Sequence, residues 1–185
     1  MTDIKKARIL IIATDGFEQS ELTVPRDRLK QAGAHVDVAS PSGRAIRGWD
    51  KKDWGQTVDV DLKIGEVKPE QYDALVIPGG QINPDKLRVD EAAMNVVKSF
   101  LKDGKVVAAI CHGPWLLVEA DAIRDRTVTS YKSIRTDMSN AGGKWVDKEV
   151  VADGGIITSR SPEDLGAFVS KIIEEVQEGQ HKHAA

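Results

Sequence analysis

Along the chain, short runs of apolar residues alternate with segments whose apolar positions recur every three or four residues. Arg8 to Ala13 carries ILIIA and breaks at Thr14-Asp15-Gly16. An isoleucine-rich run of that length predicts a strand covered on both faces. From Glu18 to Gln31, Leu22, Pro25, Leu29 and Ala32 fall at helical spacing. Pro25 must then lie in the first turn or kink the helix, and Gly33 supplies a stop. HVDVAS, 35 to 40, alternates like a strand with one more polar face.

This β-α-β pattern recurs. Tyr72 to Ile77 predicts a strand ending in Pro78-Gly79-Gly80. Pro84 to Lys102 predicts a helix with Leu87, Ala93, Val96, Val97, Phe100 and Leu101 on its apolar side, and Val106 to Ile110 the next strand. Gly113 to Ala120 starts another helix, where Pro114 suits the first position. Thr127 to Ser130 and Gly155 to Thr158 predict strands, and Ser161-Pro162-Glu163-Asp164 opens a final helix running to about Gln177. Alternating strands and helices predict an α/β fold, a mostly parallel sheet wrapped on both faces, with ligands at the carboxyl ends of its strands. The breaks TDGFEQSE, PGGQINPD and CHGP each follow a strand and are expected at that one edge. Two segments interrupt the pattern. Residues 43 to 62, with Trp49 and Trp54, and Ala141 to Gly155 are expected as excursions built from short strands, the first as an interface, a pocket wall or local packing under a long loop.

Composition narrows the function. A chain of 185 residues without a long linker or repeat is expected to form one domain. The net charge of −3, with acids and bases interspersed, supplies no field to gather nucleic acid or an anionic membrane. The apolar runs fall far short of the ~20 residues of a membrane helix. One cysteine allows no internal disulfide, and the start MTDIKKARILIIAT lacks a signal peptide's pattern, so a cytoplasmic location is expected. The tail from Gly179, GQHKHAA, reads as a flexible end in which His181 and His183 stand two apart. A lone cysteine and scattered histidines lack metal-ligand spacing, and no G-x-G-x-x-G follows the first strand. No metal or cofactor is therefore expected, and the partner is expected to be a small molecule or peptide.

The chemistry centres on AAICHGPWLL. Cys111 follows an apolar strand and precedes a helix, with the small residues Ala109 and Gly113 two positions either side. A nucleophile at a sharp strand-to-helix turn needs such neighbours, because strand and helix approach closely there. The helix start favours a thiolate of low pKa, and the N–H of His112 becomes an oxyanion donor. The bland alternative is a buried structural thiol. Adjacent residues at a turn point in different directions, so His112 would line the pocket and pass protons, or else be a surface histidine. Glu18 should rise toward the same edge, where a protonated carboxyl would stabilise the sulfur anion; alone it is also an ordinary first-turn acid. Gly79 and Gly80 offer a further oxyanion N–H or only a turn, and Asp85 is a candidate site acid or an acid that merely favours a helix N-terminus.

TDGFEQSEL (14 to 22), GWDKKDWGQTVDVD, YDALVIPGGQINPDKLR (72 to 88), AAICHGPWLL (108 to 117) and ITSRSPEDL (157 to 165) together resemble the ThiJ/PfpI family, in the class I glutamine amidotransferase-like superfamily. The resemblance covers nearly the whole chain. It implies a flavodoxin-like three-layer α/β/α sandwich with a nucleophile elbow at Cys111, a neighbouring His112 and a first-loop Glu18 that tunes the thiol. It further implies an acid offered across a subunit interface, for which Asp85 is the candidate, and hence homodimers or larger assemblies. The local QINPD departs from the PfpI protease pattern by what reads as a one-residue insertion. The implied activity is a stress-protective, cysteine-dependent hydrolase or lyase of peptidase, glyoxalase or deglycase type. Its rival is a non-enzymatic oxidative-stress sensor or chaperone working through Cys111 oxidation.

Overall fold

The computed structural model describes residues 3–179. Of the expected flexible tail only Gly179 falls among them, so His181 and His183 lie outside the described residues. In chain order the elements are β1 (Arg8–Ile12), β2 (Phe17–Glu18), α1 (Gln19–Gln31), β3 (His35–Ser40), β4 (Ile46–Asp50), β5 (Asp53–Val58), β6 (Leu62–Lys63), β7 (Ala74–Ile77) and α2 (Ile82–Leu87). They continue with α3 (Glu91–Lys102), β8 (Val106–Ile110), α4 (Trp115–Glu119), β9 (Thr127–Val128), α5 (Arg135–Asn140), β10 (Lys144–Trp145), β11 (Val150–Asp153), β12 (Ile156–Ser159) and α6 (Leu165–Glu178).

The central sheet runs β11-β12-β8-β7-β1-β3-β6, parallel throughout except that β11 pairs antiparallel with β12. Its middle strands are apolar at every position because each face is covered. Ile9, Ile11, Val76, Ala108 and Ile110 pack with Leu22 and Leu29 of α1 and Phe168, Val169 and Ile172 of α6. Leu10, Ile12, Leu75, Ile77, Val107 and Ala109 pack with Val97 and Phe100 of α3 and with Leu116 and Leu117 of α4. The result is the three-layer, flavodoxin-like α/β/α sandwich.

From β1 the chain passes outward to β3 through α1, and from β7 the other way to β8 through α3, on opposite faces. Strand order therefore reverses between β1 and β7, and a crevice opens outside their carboxyl ends. The three breaks expected at one edge all border it or the adjoining end of β8.

The structure corrects four local expectations. The helix expected over 84 to 102 is two helices, since Asp90 accepts from the Ala93 N–H and caps α3 anew. Pro25 lies in the second turn of α1, not the first; the helix continues around it without the bond that residue 25 would donate to the Glu21 carbonyl. Helix α4 begins at Trp115, later than expected. The strand expected over 127 to 130 keeps only Thr127–Val128. The 43 to 62 excursion contains the β4-β5 hairpin, which pairs with β2 in a small separate sheet, while the second excursion supplies β10 and the edge strand β11.

Phe168 is fully buried where α6 meets the sheet. Phe168→Ala is expected to cost about 3–5 kcal/mol, mostly as the cavity left behind. Urea unfolding checks this, and a loss below about 1 kcal/mol would contradict that assignment of the core.

Candidate functional site

Cys111 is the residue directly after β8, and its φ is +64°. The left-handed region costs a side-chain-bearing residue of order 1–3 kcal/mol, so the surroundings must hold it there. Its N–H donates to the Ser159 carbonyl at 3.0 Å and its carbonyl accepts from the Tyr131 N–H at 2.9 Å. Gly113 lets the chain double back: a Cβ there would lie 2.7 Å from the Ile77 carbonyl oxygen and 2.9 Å from that of Ile110. A Cβ on Gly79 would lie 2.6 Å from the Cβ of Cys111.

Gly113 does the work of the expected small flank, while the Gly79 N–H is spent away from any oxyanion. The Gly113 N–H is committed to the Ile110 carbonyl at 2.8 Å, so Gly113 is needed for space and offers no oxyanion donor. The Gly79 N–H donates to Glu21 Oε2 at 2.8 Å. The amides that bond the sulfur are those of Gly80 and His112, and both favour its anion.

The acid against the thiol is Glu21, where the sequence pointed to Glu18. Residues 17 and 18 are spent in extended β2, paired with β4, so Glu18 reaches the cleft wall and accepts from Ser20 Oγ at 3.2 Å. The helix starts one residue later, and its first turn aims Glu21 into the sheet edge, where it is fully buried and bonds Cys111. Burial, with the charge of Glu18 second, pushes the Glu21 carboxyl up to about 8. Its Oε1 has no hydrogen-bond partner among the described residues, which disfavours an ionised carboxylate further. Glu18 itself is raised, chiefly by burial.

The depressed thiol pKa expected from the helix start is opposed in the fold. Burial first, then an ionised Glu21, push the Cys111 thiol up. Two buried acids side by side resist ionising together, so the pair holds its last proton to higher pH than either group would alone.

His112 does meet its neighbour. Its Nδ1 lies 3.2 Å from Cys111 Sγ and its Nε2 lies 3.0 Å from Ser133 Oγ. The Tyr131 ring stacks on the imidazole at 5.0 Å, and Trp115 meets it edge-on at 5.2 Å. Burial lowers its pKa, with Asp137 pulling weakly the other way, so the imidazole is held towards its neutral form. Tyr131 and Ser133 come from a loop without a local signal of chemistry, and Trp115 from a helix whose apolar pattern reads as core. Asp85 is not brought to His112 within one chain: it is exposed on α2 and outside the cleft lining.

The cleft above the sulfur is about 480 Å³, lined by Glu18, Trp49, Lys51, Ile82 and Tyr131 among others. That suits a small molecule or an extended side chain. Trp49 is thus a pocket wall, with Trp54 edge-on to it at 5.5 Å and partly exposed. Among the described residues no cluster of acids, cysteines or histidines could hold a metal ion, and no helix is long and apolar enough to cross a membrane.

A deglycase of Pyrococcus abyssi is 46% identical over 167 residues, covering 90% of this chain and 98% of its own. The protein/nucleic acid deglycase 2 of Escherichia coli is 43% identical over 163 residues, covering 87% of this chain and 92% of its own. Among solved structures, Drosophila melanogaster DJ-1beta superposes with a TM-score of 0.83 at 30% identity, covering 94% of this chain and 95% of that one. A two-domain protein of Anabaena variabilis with DJ-1/ThiJ/PfpI-like and ferritin-like domains gives 0.86 at 35% identity; this chain, 93% covered, spans 48% of its length. Residues 7–175 match the profile of the DJ-1/PfpI family. With the profile matching most of its length, the chain belongs to the DJ-1/PfpI family.

Proposed function

We propose that the chain is a cysteine-dependent enzyme of the deglycase, glyoxalase or peptidase type, acting on small electrophilic carbonyls, glycated adducts or amides. The observation that carries this reading is a sulfur at a left-handed elbow, facing the Gly80 and His112 amides, the His112 imidazole and a buried carboxyl. Glu21 keeps its proton until about pH 8. Against a neutral carboxyl the sulfur loses the repulsion that pushes it up, and the anion settles on the atom the amides face.

In the first step the thiolate attacks the carbonyl carbon, a C–S bond forms, and the C=O π pair moves to oxygen. The Gly80 and His112 N–H groups receive that oxygen. His112 then gives the proton on Nδ1 to it, while Nε2 takes the Ser133 hydroxyl proton and a solvent water reprotonates Ser133, leaving hydroxide to the bulk, so ring and serine both end neutral. The names of the relatives support a deglycase outcome. Asp85, exposed on α2, is the acid that a second subunit would offer to His112 in a homodimer or larger assembly.

The direct test offers methylglyoxal, and its adduct with a free amino acid, to wild type and Cys111→Ala. Turnover by wild type, absent in the variant, is expected. Peroxide-dependent changes in binding partners without turnover would favour the oxidative sensor instead.

Because Cys111 is the single cysteine, alkylation reads its thiolate without interference. Glu21→Gln keeps a neutral donor and is expected to alkylate at pH 7 within about threefold of wild type, whereas Glu21→Leu removes it and slows the reaction about tenfold or more. Glu18→Gln removes only the second cause of the raised Glu21 carboxyl and should move the pH profile less than Glu21→Leu does. A wild-type profile in Glu21→Leu would sink the coupling.

Stability carries the same signature. The Glu21 carboxyl ionises at its ordinary 4.5 when unfolded and near 8 when folded. Its contribution is therefore fully present below pH 4.5, and falls as pH rises through 8, because only the unfolded chain gives up the proton in between. Urea unfolding across this range should show wild type losing on the order of 2–4 kcal/mol relative to Glu21→Gln. Parallel curves would contradict it.

A further inference from the structure

The side chain of Asn83 is fully buried in α2 and belongs to none of the groups that face the sulfur. Its Oδ1 accepts from the Thr14 N–H at 2.8 Å, and its Nδ2 donates to the Pro78 carbonyl at 2.9 Å. Thr14 and Pro78 lie just past the ends of β1 and β7, neighbouring parallel strands whose last paired residues are Ile11 and Val76. Beyond that point the two chains part to form the crevice, and a backbone N–H and a backbone C=O are left without a ladder partner. One planar amide answers both, as the next rung of the sheet would have done.

What this rung holds still is the segment Pro78-Gly79-Gly80. On its other side Glu21 accepts from the Gly79 N–H, and the Glu18 N–H donates to the Gly79 carbonyl at 3.2 Å. Gly80, at φ +79°, is packed so closely that a Cβ would lie 2.7 Å from both the Glu18 nitrogen and the Gly16 oxygen. Its N–H is one of the two amides that bond Cys111. An oxyanion or thiolate donor works only while its N–H stays aimed, and a shift of a few tenths of an ångström weakens it.

We infer that Asn83 is a positioning residue for the Cys111 site: its amide replaces the missing rung between β1 and β7 and so aims the Gly80 N–H at the sulfur. The residue lies within the QINPD stretch, where the chain departs from the PfpI protease pattern. This inference rests on Cys111 being the nucleophile proposed above.

Alkylation of Cys111 across pH tests it without needing a substrate. Asn83→Ala is expected to move the thiolate midpoint up by roughly one pH unit, with about tenfold slower reaction at neutral pH. Where turnover is measured, kcat should fall and KM stay near wild type. Asn83→Asp keeps the volume and the Thr14 bond but loses the donor to Pro78, so it should shift the midpoint the same way and carries the test if the alanine variant does not fold. Asp90→Ala, which loses only the cap of α3, should cost comparable stability and leave the profile unmoved. In wild type the Thr14 amide should exchange slowly with deuterium. A folded Asn83 variant with the wild-type profile, or a rapidly exchanging Thr14 amide, would overturn the inference. A wild-type cysteine inert at every pH would instead overturn the proposed function.

Discussion

The site turns on two acids forced into one dry space with room for a single negative charge. Cys111 and Glu21 are both buried and bonded to each other; burial raises each, and an ionised Glu21 raises the thiol further. Neither burial nor repulsion alone chooses which atom carries the charge. In the proposed mechanism the backbone does: two N–H groups favour the sulfur anion, while the carboxyl has the Gly79 N–H on Oε2 and no partner on Oε1 among the described residues. A carboxyl that keeps its proton is then a hydrogen-bond donor in place of a competing anion.

Holding that arrangement requires a strained residue, and the fold supplies the restraint from several directions. The Cys111 backbone is tied to Ser159 of β12 and to Tyr131, so the elbow is part of the sheet's own bonding. Gly79 and Gly113 open the space in which helix, strand and sulfur approach, and Asn83 closes the parting ends of β1 and β7. These are contacts between segments far apart in sequence, which only the reversal of strand order brings together.

That explains what was legible beforehand. The middle strands read clearly because burial on both faces makes them apolar throughout, and the sharp turn at Cys111 read clearly because a doubled-back chain needs small flanks. Glu21 was legible in principle, since it stands four residues before Pro25 on the apolar face of α1. The sequence points to Glu18 instead because the β2-β4 pairing, which delays the helix, depends on a hairpin some thirty residues later. The break at Asp90 was hidden for a related reason: apolar spacing continues across it, and only the capping bond marks the new start. Ser133 and Tyr131 left no local signal at all.

Difference infrared spectroscopy at neutral pH tests the shared-proton account most directly. Wild type minus Glu21→Gln should reveal the carbonyl stretch of one protonated carboxyl, and wild type minus Cys111→Ala should reveal no S–H stretch. An S–H band accompanied by an ionised carboxylate at Glu21 would place the proton on the wrong partner and contradict the account.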